Sequence, residues 1–296
     1  MYQICKCGLL LPRNFDYYAP ASLKEAVAVL KKHSDARILA GGQSLLPMMK
    51  LRLASPEAIV DISRIKELRG IRQDKDKVLL GAMTTISEIA ISEVVKSELP
   101  ALFEAASAIA DPQVRNMGTI GGNIANADPG NDMPAIAIAY GAGIEIFDGK
   151  ITRNESADTF FVDAYTTKAA QHEIITSLVF PKGMRGSAYA RVNRRIGDYA
   201  LASACAVIEV SGGRITEARI AFNGAAQKAI RAEASERRLV DSKPSTDAFD
   251  KAAQDALKGL EIEDSFYASA SVKKAAIRHV VAEAVENAYR RAKVVR

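Results

Sequence analysis

A chain of 296 residues exceeds one average domain and can bury a substantial core, so two domains are expected. Its 48% hydrophobic and 25% charged residues are an ordinary globular balance. The net charge of +5 is spread among interleaved acids and bases, with no basic block interleaved with aromatics, which disfavours nucleic acid as a partner. The apolar run near the N-terminus is too short for a signal peptide and no later run reaches about 18 residues, so a soluble, cytoplasmic protein is expected.

In chain order, Ser22 and Glu25 form a capping box that opens a helix with Leu23, Val27 and Leu30 on one apolar stripe. A short strand then runs through Ile38 and Leu39 to Ala40 and into the glycine pair Gly41-Gly42, followed by Gln43, Ser44 and Leu45. Ile59 to Ile62 reads as a second strand after a connection from Leu45 to Pro56. Ile71 and Val78 to Ala82 bracket the polar turn Gln73 to Lys77 as a hairpin. Thr85 and Glu88 repeat the capping box. Leu99 to Ala110 is an alanine-rich helix that Asp111-Pro112 is expected to stop.

The stretch from Asn116 to Asp132 follows. Gly118, Gly121 and Gly122 can present bare backbone N–H groups, and Thr119, Asn123 and Asn126 add side-chain hydrogen-bonding groups, so it reads either as a phosphate loop or as a tight turn without a ligand. Its spacing, G-x-x-G-G-N, matches neither the dinucleotide fingerprint nor the lysine-ending P-loop. Asp132-Met133-Pro134 starts a helix over 135–142, Asp148-Gly149 turns a hairpin, and Ile174 to Phe180 is a strand ended by Pro181. Lys182 to Ser187 is the best linker. Beyond it Tyr189 to Val192, Leu201 to Val210 and Ile215 to Phe222 read as strands. Helices dominate from Ala225 onward, with Ser245 and Ser271 as candidate caps and Ile277, Val280, Val281, Ala284, Val285 and Ala288 as the buried stripe of the last.

Cys5, Cys7 and Cys205 are too few for a disulfide framework or a four-thiolate iron–sulfur site. The Cys5-x-Cys7 pair is either a metal ligand set or part of a disordered terminus. His33, His172 and His279 are isolated and read as surface or packing residues. No Ser/His/Asp set or paired carboxylates can be found.

Two glycine loops of one chemistry imply a long ligand. Together A-G-G-Q-S and T-I-G-G-N resemble the FAD-binding subunit or domain of the molybdenum hydroxylases, in particular the medium subunit of the carbon monoxide dehydrogenase type, with the FAD domain of xanthine dehydrogenase more distant. The resemblance runs from about Pro12. It implies an α+β chain: an N-terminal extension over 1–11, a two-lobed FAD-binding domain of the PCMH type over 12–184, and a C-terminal flavoprotein domain over 185–296 with a small antiparallel sheet and a helix bundle.

By the same resemblance, Ile38, Leu39, Ala40, Gly41, Gly42, Gln43, Ser44 and Leu45, with Thr119, Ile120, Gly121, Gly122 and Asn123, would hold FAD. The glycine amides would face the pyrophosphate, and Ser44, Thr119 and Asn123 would donate from side chains. Asp132 would contact the cofactor or simply cap its helix. Ile109 stands where xanthine dehydrogenases place an aromatic residue, and Ile175 joins the set. Tyr199 would lie over the isoalloxazine ring, unless its Arg194-Arg195-Ile196-Gly197-Asp198 run is only an exposed loop. Ala190 replaces a family lysine, with Arg191 beside it.

The implied function is an FAD-binding electron-transfer subunit of a molybdenum hydroxylase that oxidises an aldehyde, carbon monoxide or xanthine. It would pass electrons from [2Fe-2S] clusters through FAD to an external acceptor. Molybdopterin and the clusters would sit in a large and a small partner subunit, in a dimer of heterotrimers. The rivals are a self-contained flavin-dependent oxidase, for which neither glycine loop offers a histidine for covalent attachment, and a non-catalytic binding protein of the same fold.

Overall fold

A computed structural model describes residues 11–184, 186–224, 226–265 and 267–294; Cys5 and Cys7 lie outside these. Three larger sheets and one two-stranded hairpin, Phe161–Asp163 with Thr166–Thr167, organise the described residues. The first is parallel, in the order Asp16–Tyr18, Ala58–Asp61, Ala36–Leu39. Helix Leu23–Lys32 packs on it through Ala26, Val27 and Leu30. Ser22 caps that helix as expected, accepting from the Glu25 N–H, while the Glu25 carboxylate reaches back to the Ala21 N–H and not to that of Ser22. Strand Asp16–Tyr18 escapes sequence reading because three largely exposed residues carry no period. Helix Leu45–Lys50 occupies part of the expected irregular connection, with Pro47 in its first turn, where a missing N–H costs nothing.

The second sheet has five antiparallel strands in the order Ile71–Gln73, Lys77–Gly81, Ile174–Pro181, Gly143–Phe147, Thr152–Ser156. Both hairpins read from Gln73–Lys77 and Asp148-Gly149 are present. Helices Ile86–Ala90, Pro100–Ala108, Ile120–Asn126 and Met133–Ala139 share a core with this sheet. The alanine-rich helix ends at Ala108, ahead of Asp111-Pro112 as expected, but no loop follows. Asp111-Pro112 instead opens a second helix, Pro112–Met117, because the Asp111 carboxylate accepts the Val114 N–H and proline suits a first turn. The second glycine motif is no loop: Ile120–Asn126 is helical, capped by Thr119.

The third sheet is antiparallel, in the order Ser187–Val192, Ala202–Ser211, Arg214–Asn223, Ile230–Arg231. Helices Glu233–Leu239, Thr246–Asp255 and Ala270–Val294 pack with it. Ser245 caps its helix as expected. Ser271, in contrast, lies inside the last helix, and Ser269 bonds the Val272 N–H. All six stripe residues of that helix are fully buried. Each buried valine or isoleucine contributes roughly 1.5–3 kcal/mol, so the stripe needs no ligand to explain it. The fold is thus α+β, with two N-terminal lobes followed by a sheet and helices.

Candidate functional site

The lobes and the third sheet enclose a cleft of about 900 Å³. Such a volume is at the large end of ligand sites, which run from about 300 to 1,000 Å³. The two glycine motifs meet at its floor. A Cβ on Gly41 would stand 2.0 Å from the Met117 carbonyl oxygen and 2.8 Å from Gly118 Cα, so only glycine lets the two backbones touch.

The motifs then play different parts. In the first, Gly42 has φ +73°, and the N–H groups of Gly41, Gly42, Gln43, Ser44 and Leu45 have no acceptor among the described residues. Ser44 makes no side-chain cap bond to the helix it precedes. Successive bare amides around a left-handed residue form an anion-binding concavity. In the second, the amides are already used. Ile120 N–H donates to Thr84 O, Gly121 to Ala82 O, Gly122 to Thr119 Oγ1 and Asn123 to Thr119 O, at 2.9 to 3.1 Å. The expected bare amides of this motif are therefore corrected: Gly121 allows close packing on Ala82, whose Cβ a side chain would meet at 2.5 Å. A Cβ on Gly122 would meet the Thr119 hydroxyl at 2.9 Å and Ala40 Cβ at 3.5 Å. Asn123 Oδ1 is buried without a hydrogen-bond partner and its residue lines the cleft.

Of the residues expected at the site, Ile38, Ala40 to Leu45, Ile109, Thr119, Gly121 to Asn123, Asp132, Ile175, Arg191 and Tyr199 line the cleft. Leu39 and Ile120 do not. Ile120 is 1% exposed and faces the core, and Leu39 is a partly buried strand residue.

Asp132 is not a simple cap. It has helical φ and ψ and makes no side-chain cap bond. Its carboxylate accepts from Ser203 Oγ at 2.8 Å and lies 3.6 Å from the Arg191 guanidinium, with both side chains over nine-tenths buried. Arg191 also donates to Ala108 O at 2.6 Å and to Asp198 O. One guanidinium thus joins the helix end before Ile109, the carboxylate of Asp132, and the loop that carries Tyr199. Ala190 turns into the core. The nearby Tyr189 phenol is held well above its usual pKa, by burial first and by the charge of Asp132 second.

Sequence reading missed Tyr165, Asp35, Arg37 and Gln171 on the cleft wall. Tyr165 sits at a hairpin tip with no motif around it, whereas the Asp128-Pro129-Gly130 turn carries a readable turn signal. Among the described residues no cluster of three metal-binding side chains exists, and no helix is long and apolar enough to cross a membrane.

The family model described as the FAD binding domain in molybdopterin dehydrogenase matches residues 13–183. The CO dehydrogenase flavoprotein C-terminal domain matches residues 187–288. The chain belongs to this FAD-binding family. It is 41% identical over 285 residues to the carbon monoxide dehydrogenase medium chain of Hydrogenophaga pseudoflava, covering 95% of this chain and 99% of that one. It is 29% identical over 278 residues to the xanthine dehydrogenase FAD-binding subunit of Escherichia coli O157:H7, covering 91% and 95%. A solved structure of the Hydrogenophaga pseudoflava enzyme, in a form lacking the Mo-pyranopterin moiety, superposes with a TM-score of 0.92 at 43% identity over 95% of this chain and 99% of the solved one. The FAD-binding chain is accordingly an oxidoreductase component.

The residues present fit FAD. The bare amides of Gly41 to Leu45 suit its pyrophosphate, and the unpartnered Asn123 Oδ1 offers an acceptor inside the cleft.

Proposed function

We propose that this chain is the FAD-binding electron-relay subunit of a molybdenum hydroxylase complex. The observation that carries the reading is the contact of the two glycine motifs at Gly41 and Met117, beneath five unbonded amides. Residues 12–184 would form the FAD-binding domain and 185–296 the C-terminal flavoprotein domain. Gly41 to Leu45 would hold the pyrophosphate. Thr119 keeps its hydroxyl proton for a ligand, since its oxygen accepts from Gly122. Asp132 and Arg191 would fix the cleft wall that faces the ring, and Tyr199 would cover one face. Ile38, Ile109 and Ile175 supply apolar walls.

Bound flavin supplies the redox chemistry that links one-electron iron–sulfur donors to an external acceptor. The protein's own part is to bind, orient and shield, which suits a cleft without an acid/base dyad. A large molybdopterin subunit and a small two-cluster iron–sulfur subunit would supply the remaining centres, in a dimer of heterotrimers in the cytoplasm. The medium-chain and FAD-binding-subunit names of the relatives support the partnership.

The test is the absorbance spectrum of the purified chain, followed by co-purification from the native host with metal analysis. Flavin bands, with iron and molybdenum in the catalytically active complex, are expected. A catalytically active preparation of this polypeptide with FAD and neither metal would overturn the relay.

A further inference from the structure

Tyr165 holds an unusual backbone at the mouth of the cleft. It stands at the tip of the hairpin formed by Phe161–Asp163 and Thr166–Thr167, at φ +55°, a conformation that suits glycine better than an aromatic residue. The residue is 60% exposed, so core packing does not account for a tyrosine there. Two bonds hold it. Its N–H donates to Ala127 O at 3.0 Å, and its hydroxyl donates to Asp128 Oδ2 at 3.1 Å.

The other oxygen of Asp128 accepts the Gly130 N–H at 2.9 Å, which closes the Asp128-Pro129-Gly130 turn. Tyr199 lies against that turn: a Cβ on Gly130 would stand 3.0 Å from Tyr199 Cδ1. Both phenols are raised above their usual pKa, by burial first and by the charge of Asp128 next. The hairpin tip, the turn and the Tyr199 loop thus form a continuous chain of contacts across three segments far apart in sequence.

We infer that Tyr165 is a positioning residue for Tyr199: through Asp128 it holds the Gly130 turn as the seat of the Tyr199 ring, and so sets how open the cleft mouth is to an electron acceptor. The inference rests on the FAD-relay reading for its purpose, but its mechanical content concerns this chain alone. A tyrosine kept in a glycine conformation, on an exposed tip, is explained by what its hydroxyl holds.

The experiment compares Tyr165→Phe, which removes only the hydroxyl, and Tyr165→Gly, which also relaxes the backbone, in the full chain. Hydrogen exchange by mass spectrometry is read over 128–131 and 194–199, with and without added FAD, alongside melting temperature. Exchange in both segments should rise about fivefold in each variant, as for one lost exposed hydrogen bond. The melting temperature of Tyr165→Gly should hold or rise, which a merely structural role would not produce. In the flavin-loaded chain, flavin fluorescence per bound FAD and reoxidation by a small acceptor should both increase. Unchanged exchange over 194–199 in both variants would overturn the proposal whether or not flavin is bound. Absence of flavin from the wild-type protein would instead overturn the FAD reading, and the exchange measurement would still decide the role of Tyr165.

Discussion

Replacing Asp132 by Asn removes one charge from a buried pair while keeping its shape. Asp132 and Arg191 have side chains 5% and 8% exposed, at 3.6 Å. Taking one partner from such a pair costs about 3–5 kcal/mol, because the other charge stays buried. Here the cost is reduced, since Arg191 keeps its bonds to Ala108 O and Asp198 O, and Asn still accepts from Ser203. The expected loss is about 2–3 kcal/mol. At about 2–4 °C per kcal/mol for a chain of this class, melting should fall by roughly 5–10 °C. Calorimetry of the full chain reads this directly, and a double-mutant cycle with Arg191→Met isolates the pair, with a coupling above about 1 kcal/mol expected. A variant melting within about 1 °C of wild type would refute the reasoning, because a buried guanidinium that has lost its carboxylate cannot be so cheap.

The glycines should separate fold from ligand. Gly121→Ala meets Ala82 backbone and should lower stability, whereas Gly122→Val should keep the fold and lose FAD, read from the flavin-to-protein absorbance ratio; Gly42→Val should lose FAD too, but at a cost in stability because its φ is +73° and Leu46 Cδ1 would stand 2.8 Å from the new Cβ; full occupancy in both valine variants would refute the assignment. Tyr199→Ala should retain FAD and change the rate of flavin reoxidation in stopped-flow; an unchanged rate would remove Tyr199 from access control. Cys205 is fully buried, and burial first and the charge of Glu104 second push its thiol well up. In a Cys5→Ser, Cys7→Ser chain, a thiol reagent at neutral pH should therefore find nothing in the native protein and one thiol after unfolding.

Sequence reading pointed to this cleft because glycine pairs flanked by amides and hydroxyls carry their chemistry locally, and most residues that they and the resemblance indicate line it. It misread the second pair as a loop because Gly121-Gly122 is a poor helix former; contacts with Ala82 and Thr84, far off in sequence, hold it helical. The short helix caps at Ser22, Thr85 and Ser245 were legible since each is decided within four residues. Arg191 was placed only by resemblance, for its pairing with Asp132 joins a strand of the third sheet to a helix start far off in sequence, and Tyr165 had no local pattern at all. The strand Asp16–Tyr18 exists only through its partner Ala58–Val60.

The helix Ala270–Val294 does more than cover the third sheet. Its Arg291 reaches back to Ser187 O at 2.6 Å and to the carboxylate of Glu104, on the helix Pro100–Ala108 that leads into Ile109. The far end of the C-terminal helix is therefore linked mechanically to the element that carries Ile109, alongside the bonds that Arg191 and Ser203 make across the cleft directly, so a change at residue 291 reaches the cleft wall without touching the cleft.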